Sequence, residues 1–291
     1  MNRLTELLET GRVVLGDGAM GTMLQLAGLT EGAPERWNVE RPDVVSSIHR
    51  AYVEAGSDFI STNTFGGTRN RLQLDGLVDR VAELNEAGAR LAREAAGERL
   101  VAGSMGPTGE LMEPLGLLTP DGARESFAEQ ARALKSGGVD FALIETMSAL
   151  EEVQAAVAGA RDAGLPVAVT MSFDTNFHTM MGIKPVQAVA TLAGWGVELV
   201  GANCGNGPAE IERIMTEMSK AKPAGVFLMA KSNAGMPRWK DDRITYGGTP
   251  EVMADYARKM VSLGVSVIGG CCGSAPEHIA AMREAMDRTS A

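Results

Sequence analysis

Compact apolar runs alternate along this chain with longer stretches of helical period. Eight runs read as strands, at 13–17, 58–64, 100–105, 140–145, 167–173, 199–204, 226–232 and 265–271. Each is nearly continuous in apolar residues, the pattern of parallel strands covered on both faces. Helical period fills the gaps, at 42–54, 78–95, 123–135, 150–163, 185–192, 209–219 and 249–263, and again at 276–287 after the last strand. That final stretch opens with Ser274-Ala-Pro-Glu277, a capping-box pattern. A glycine stands between helix and strand at Gly56, Gly138, Gly164, Gly196 and Gly264, where a left-handed C′ residue ends a helix. Eight repeats of strand and helix predict an α/β fold, a closed (β/α)8 TIM barrel, with an open doubly wound sheet as the alternative. The 291 residues, 45% of them hydrophobic, suit one large core. No linker or shift in composition divides them, so 1–291 reads as a single domain.

Charge narrows the possible partners. The formal net charge is -10, and no Lys/Arg-rich stripe marks a nucleic-acid surface. No apolar run is long enough to span a membrane. The first ten residues carry Arg3, Glu6 and Glu9 and lack the apolar centre of a signal peptide. The three cysteines, two of them adjacent, fit a reducing compartment better than a disulfide framework. A cytoplasmic protein without nucleic-acid or membrane partners is expected.

In a (β/α)8 barrel the chemistry sits at the C-terminal ends of the strands. All three cysteines fall there: Cys204 after the sixth strand, Cys271 and Cys272 after the eighth. Three thiolates can hold Zn²⁺ and leave its fourth position open, as in catalytic zinc sites. Adjacent strand residues normally point to opposite faces. The glycines around Cys271 and Cys272 permit a turn that aims both sulfurs at one ion. The bland alternative is three small buried residues packed by accident. A zinc tris-thiolate site deprotonates a substrate thiol, which suits alkyl transfer to sulfur. The turn Gly16-Asp-Gly-Ala-Met-Gly-Thr22 offers backbone N–H groups to a carboxylate. Asp17 and Glu145 could hold an ammonium, although Glu145 also suits a rim salt bridge. Among the histidines, His49 reads as a surface or interhelix residue, and neither His178 nor His278 reads as a ligand.

These residues together resemble the homocysteine S-methyltransferase family over about 14–286. The matching segments include Leu15-Gly-Asp-Gly-Ala-Met-Gly-Thr22, Thr62-Asn-Thr-Phe-Gly66, Met105-Gly-Pro-Thr-Gly-Glu110, Gly201-Ala-Asn-Cys-Gly205 and Gly269-Gly-Cys-Cys-Gly273. The resemblance implies a (β/α)8 barrel with zinc on Cys204, Cys271 and Cys272, and homocysteine sulfur as the fourth ligand. It implies substrate contacts at Asp17, Gly18, Ala19, Thr22, Glu145, Asn203 and Asn233. Family members differ in methyl donor. Those using S-methylmethionine commonly carry Arg after the cysteine pair, where this chain has Gly273. Betaine, a quaternary ammonium, calls for aromatic faces. Gly66 and Thr146 stand where animal betaine enzymes have tyrosines, leaving Trp37 as one possible cage wall. Against this, 231–239 and 246–251 look like bacterial betaine-using members. The expected reaction methylates homocysteine to methionine, with methylcobalamin on a separate corrinoid-binding protein as donor. Betaine as donor, and a non-catalytic zinc- and thiol-binding barrel, are the alternatives.

Overall fold

Eight parallel strands form one nearly closed sheet in a computed structural model of the chain, which describes residues 3–240 and 243–289. They are β1 (Val14–Leu15), β2 (Phe59–Ser61), β3 (Leu100–Met105), β4 (Phe141–Met147), β5 (Val167–Met171), β6 (Leu199–Cys204), β7 (Phe227–Ser232) and β8 (Val267–Gly270). Hydrogen-bonded neighbours run β1-β8-β7-β6-β5-β4-β3-β2. Helices follow the strands and cover the outside, so the fold is the expected (β/α)8 barrel. Each of the eight expected strands is present, several of them shortened. The five glycines between helix and strand all hold positive φ, from 71° at Gly196 to 98° at Gly56.

One main-chain hydrogen bond and two carboxylates close the remaining seam. Among the described residues β1 and β2 share no ladder. Instead the Asp58 N–H donates to the Leu15 carbonyl at 2.7 Å, and Asp58 Oδ2 accepts from the Leu15 N–H at 2.8 Å. At the upper end of the seam Asp17 Oδ2 accepts from the Ser61 N–H at 2.6 Å. Carboxylates therefore take two N–H groups that a regular ladder would give to carbonyls.

Several elements lie outside the sequence pattern, among them the short helices Met20–Leu26, Trp37–Glu40 and Arg69–Gln73, and two bear on the architecture. Helix Arg3–Glu9 lies under the barrel and seals its lower end with Leu4 and Leu8, 6% and 3% exposed. These leucines join an apolar cluster with Val14, Phe59, Phe141, Leu199, Met229 and Val267. Phe59 and Phe141 meet edge to face with ring centroids 5.8 Å apart, a favoured aromatic geometry. Arg3 pins the helix through Asp140 Oδ1 and the Glu98 carbonyl, both at 2.6 Å. The second is an antiparallel hairpin, Pro237–Lys240 with Arg243–Tyr246, in the loop after β7. No helix is long and apolar enough to cross a membrane among the described residues.

Candidate active site

Backbone geometry brings the three sulfurs together. Cys204 ends β6 with φ of 64°, and Gly205 follows at 72°. A left-handed conformation is costly for a residue with a Cβ and collects at functional sites. Here it accompanies a Cys204 Sγ placed 2.9 Å from Cys271 Sγ. The Cys271 N–H donates to the Ser232 carbonyl at 2.7 Å, and the Cys272 carbonyl accepts from the Ala234 N–H at 2.9 Å. The cysteine pair is thus sewn to the end of β7. Gly273 must be glycine. Its φ is 79°, and a Cβ would lie 2.3 Å from the Tyr246 ring. A bulkier residue after the pair would displace the hairpin's last residue.

The Sγ atoms of Cys204, Cys271 and Cys272 all lie within 4.8 Å of one another. Zinc–sulfur bonds of about 2.3 Å in a tetrahedron put sulfurs about 3.8 Å apart, so the donor set fits that ion. Hydrogen bonds from Cys204 and Cys271, with a further one from Tyr246, hold Cys272 well below the usual thiol range. Cys204, donating to the other two, is pushed up. The directions are opposite because neighbouring sulfurs resist ionising together, and three thiolates at this spacing would require a cation.

Asn203 sits behind the sulfurs and braces them. Its Oδ1 accepts from Thr170 Oγ1 at 2.7 Å and the Thr146 N–H at 2.8 Å. Its Nδ2 donates to Thr146 Oγ1 at 2.7 Å and lies 3.5 Å from Cys204 Sγ. Thr146 is itself left-handed at φ 64°, beside a register shift between β4 and β5. Asn233 Nδ2 donates to the Gly205 carbonyl at 2.6 Å, while its buried Oδ1 has no partner.

Below the sulfurs lies a charged floor. Asp17 accepts from the Ser61 N–H and, at 3.0 Å, from Ser61 Oγ. Glu145 Oε1 accepts from Ser104 Oγ at 2.5 Å. Lys231, 3% exposed, stands between the two acids. Its Nζ is 3.3 Å from Asp17 Oδ1 and 3.9 Å from Glu145 Oε2. Burial pushes the Glu145 carboxyl up, against the pull of Lys231. Burial alone would lower Lys231, but Asp17 and Glu145 outweigh it and raise its pKa.

A cavity of about 500 Å³ opens above this floor, lined by the 18–22 turn, the ends of β2 and β4, Lys231 and the three cysteines. Thr22 Oγ1 accepts from the Gly273 N–H at 3.1 Å, and the Ala19 N–H donates to the Ser274 carbonyl at 2.9 Å. The turn carrying Gly18, Ala19 and Thr22 is thereby tied to the cysteine loop. Glu35, also on the lining, accepts from the Gly66 N–H at 2.6 Å.

A family profile described as homocysteine S-methyltransferase matches residues 14–286. The chain belongs to the homocysteine S-methyltransferase family. Among curated relatives, the methionine synthase of Mycobacterium leprae (strain TN) is 37% identical over 98% of this chain. That of Mycobacterium tuberculosis (strain ATCC 25618 / H37Rv) is 36% identical over 94%. The chain spans only 25% of the length of either relative. Among solved structures, the metallated form of the homocysteine methyltransferase MmuM from Escherichia coli superposes with a TM-score of 0.78 at 26% identity, covering 97% of this chain and 99% of that one. A methyltransferase from Methanosarcina mazei shares the fold, with a TM-score of 0.64 at 14% identity over 99% and 98%.

Most of the expected site residues of this family member meet around one cavity. Three are off its lining: Asp17 lies beneath it, bonded to Ser61 and Lys231, while Asn203 and Asn233 brace the loops that carry the cysteines. Trp37, the possible cage wall, is 8% exposed beneath the Arg41 guanidinium and off the lining. His49 is fully buried with neither ring nitrogen partnered, an interhelix rather than a surface residue. His278 ties the Ala275 N–H to the Gly248 carbonyl, at 3.0 Å each. Lys231, Ser61 and Ser104 lie within the expected strands 226–232, 58–64 and 100–105 rather than at their ends, so position gave no sign of them. A lysine within the buried strand 227–232 was the available signal, since such a group needs a partner.

Proposed function

We propose that the protein transfers a methyl group to the sulfur of homocysteine, giving methionine, with zinc on Cys204, Cys271 and Cys272. The convergence of three sulfurs over a floor of Asp17, Lys231 and Glu145 carries this reading. When bound, zinc supplies positive charge that keeps the acceptor thiol deprotonated at neutral pH. The residues around it do the positioning. Asn203 and Thr146 hold the Cys204 turn, and Ser232 and Ala234 hold the cysteine pair. The 18–22 turn walls the cavity beside the acceptor's amino acid end, and Glu145 faces its ammonium. The acceptor sulfur forms the new bond to the methyl carbon as the donor's bond to that carbon breaks, its electron pair staying with the donor.

For the donor we infer a methylcorrinoid carried on a separate protein. Phe65 is the one aromatic residue among the described residues lining the cavity, too few for an ammonium cage. The likeness to methionine synthases agrees with this choice. Zinc-loaded protein and homocysteine, offered methylcobalamin, betaine and S-methylmethionine in separate assays, provide the test. Methionine should form from methylcobalamin. Formation from betaine alone would overturn the donor. No turnover with any of the three, despite zinc and homocysteine binding, would favour a non-catalytic thiol-binding barrel.

A further inference from the structure

We propose that Lys231 is a specificity-determining residue that reads the acceptor's carboxylate, paired with Glu145, which takes the ammonium. The inference rests on homocysteine being the acceptor. Neither the motifs nor the family resemblance gives Lys231 a role.

Lys231 is a lysine in a strand that is otherwise buried and mostly apolar, and its side chain is 4% exposed. Burying an ammonium is costly unless its charge is met, so its place in the barrel calls for a reason. Space is made for it across the barrel wall. A Cβ at Gly269 would come within 3.2 Å of Lys231 Cγ, so glycine there lets the stem lie flat against β8.

The decisive point is which hydrogen-bonding capacity remains unused. Asp17 has the least to spare: of about four acceptor sites it uses three, for the Ser61 N–H, Ser61 Oγ and Lys231. An ammonium has three N–H donors. Asp17 Oδ1 and Ser61 Oγ, both at 3.3 Å, take two of them from Lys231. The third is free for the cavity that Lys231 lines. Glu145 is half spent, with Ser104 on Oε1 and only the 3.9 Å ion pair to Lys231 on Oε2. One donor on a cation and one acceptor on an anion therefore lie side by side under the sulfurs. An α-amino acid carries the complementary pair, carboxylate and ammonium, on a single carbon. A thiol lacking either group would leave the spare donor of Lys231 or the spare acceptor of Glu145 unmet inside the filled cavity.

Calorimetric titration of the zinc-loaded protein tests this with three thiols. Homocysteine has both groups, 4-mercaptobutanoate lacks the ammonium, and 3-aminopropane-1-thiol lacks the carboxylate. Lys231→Met and Lys231→Gln should each weaken homocysteine and 4-mercaptobutanoate about 10- to 100-fold, the worth of a charged hydrogen bond. Binding of 3-aminopropane-1-thiol should be unchanged or tighter. Equal weakening of all three thiols would overturn the proposal, as a merely structural lysine predicts. So would unchanged binding of 4-mercaptobutanoate. Should neither variant fold, the wild type decides: 4-mercaptobutanamide must bind about 10- to 100-fold more weakly than 4-mercaptobutanoate, and equal affinity overturns the role. Wild-type protein that binds no homocysteine would overturn the functional reading and this inference together. Homocysteine binding that ignores Lys231 would overturn this inference alone.

Discussion

The two ends of the barrel are built to opposite rules. Below, Leu4 and Leu8 plug an apolar layer with Phe59, Phe141 and Met229. Its charges, Asp58 and Asp140, lie at the margin and are paired with Arg12, Arg283, Arg3 and Arg93. Above, Asp17, Glu145 and Lys231 are buried in the interior, and Cys204 and Thr146 hold left-handed backbone. Buried charge and strained backbone both cost stability. The lower end stabilises the fold, and the upper end uses part of that stability to hold a reactive arrangement.

The largest effect should come from the upper end. Cys272→Ala is expected to abolish stoichiometric zinc and methionine formation together. Metal analysis alongside a turnover assay checks it, and a variant retaining both would refute the zinc site. Removing zinc with a chelator should likewise stop turnover while leaving the far-ultraviolet circular dichroism of the barrel in place. Collapse of that signal would show that the upper end also carries the fold.

Leu8→Ala tests the lower end. Truncating a buried leucine should cost about 2–5 kcal/mol in denaturant unfolding, with the KM for homocysteine unchanged. A raised KM would mean that the two ends are coupled through the strands.

A buried histidine should carry acid sensitivity. His49, on the helix Pro42–Glu54, is pushed down by burial from its ordinary 6.5 to about 4, against the charge of Asp17 and with that of Arg50. It stays neutral in the fold, while the unfolded chain takes up a proton below pH 6.5. The stability it carries above that pH is therefore lost as pH falls towards 4, by about 3 kcal/mol in total. Unfolding free energies measured across this window should flatten in His49→Phe. An unchanged slope would place the acid sensitivity elsewhere.

The smallest effect in stability concerns Thr146→Gly. Relief of the left-handed threonine and loss of its hydrogen bond to Asn203 should nearly cancel, within about 1 kcal/mol. The kcat should nevertheless fall, because Asn203 loses a partner that fixes the cysteines. Unchanged kcat would show that Thr170 and the main-chain N–H at position 146 suffice to orient Asn203.

What the sequence made legible follows the same division. Strand and helix period lies in main-chain neighbours and their side-chain pattern, so the eight units and the cysteine placement could be read directly. The seam between β1 and β2 could not, because it depends on Asp58 and Asp17 reaching across space to amides of another strand. Lys231 was hidden for a similar reason: its partners come from β1, β2 and β4, distant in sequence. Helix Arg3–Glu9 is too short to show a clear period, and only its two buried leucines betray the plug. Asn203 marks the limit at single residues: polarity at a strand end does not say which way a side chain is committed, and its bonds to Thr146 and Thr170 emerge only in three dimensions.

The seam has a further consequence. A closed cylinder offers no exposed strand edge to other molecules, and here the closure between β1 and β2 depends on aspartates rather than on a ladder. Without the Asp58 carboxylate, the same strands would be disposed to open into a curved sheet with two unsatisfied margins. Such margins recruit strands from neighbouring chains, so this acidic side chain guards the protein against self-association as much as it guards its shape.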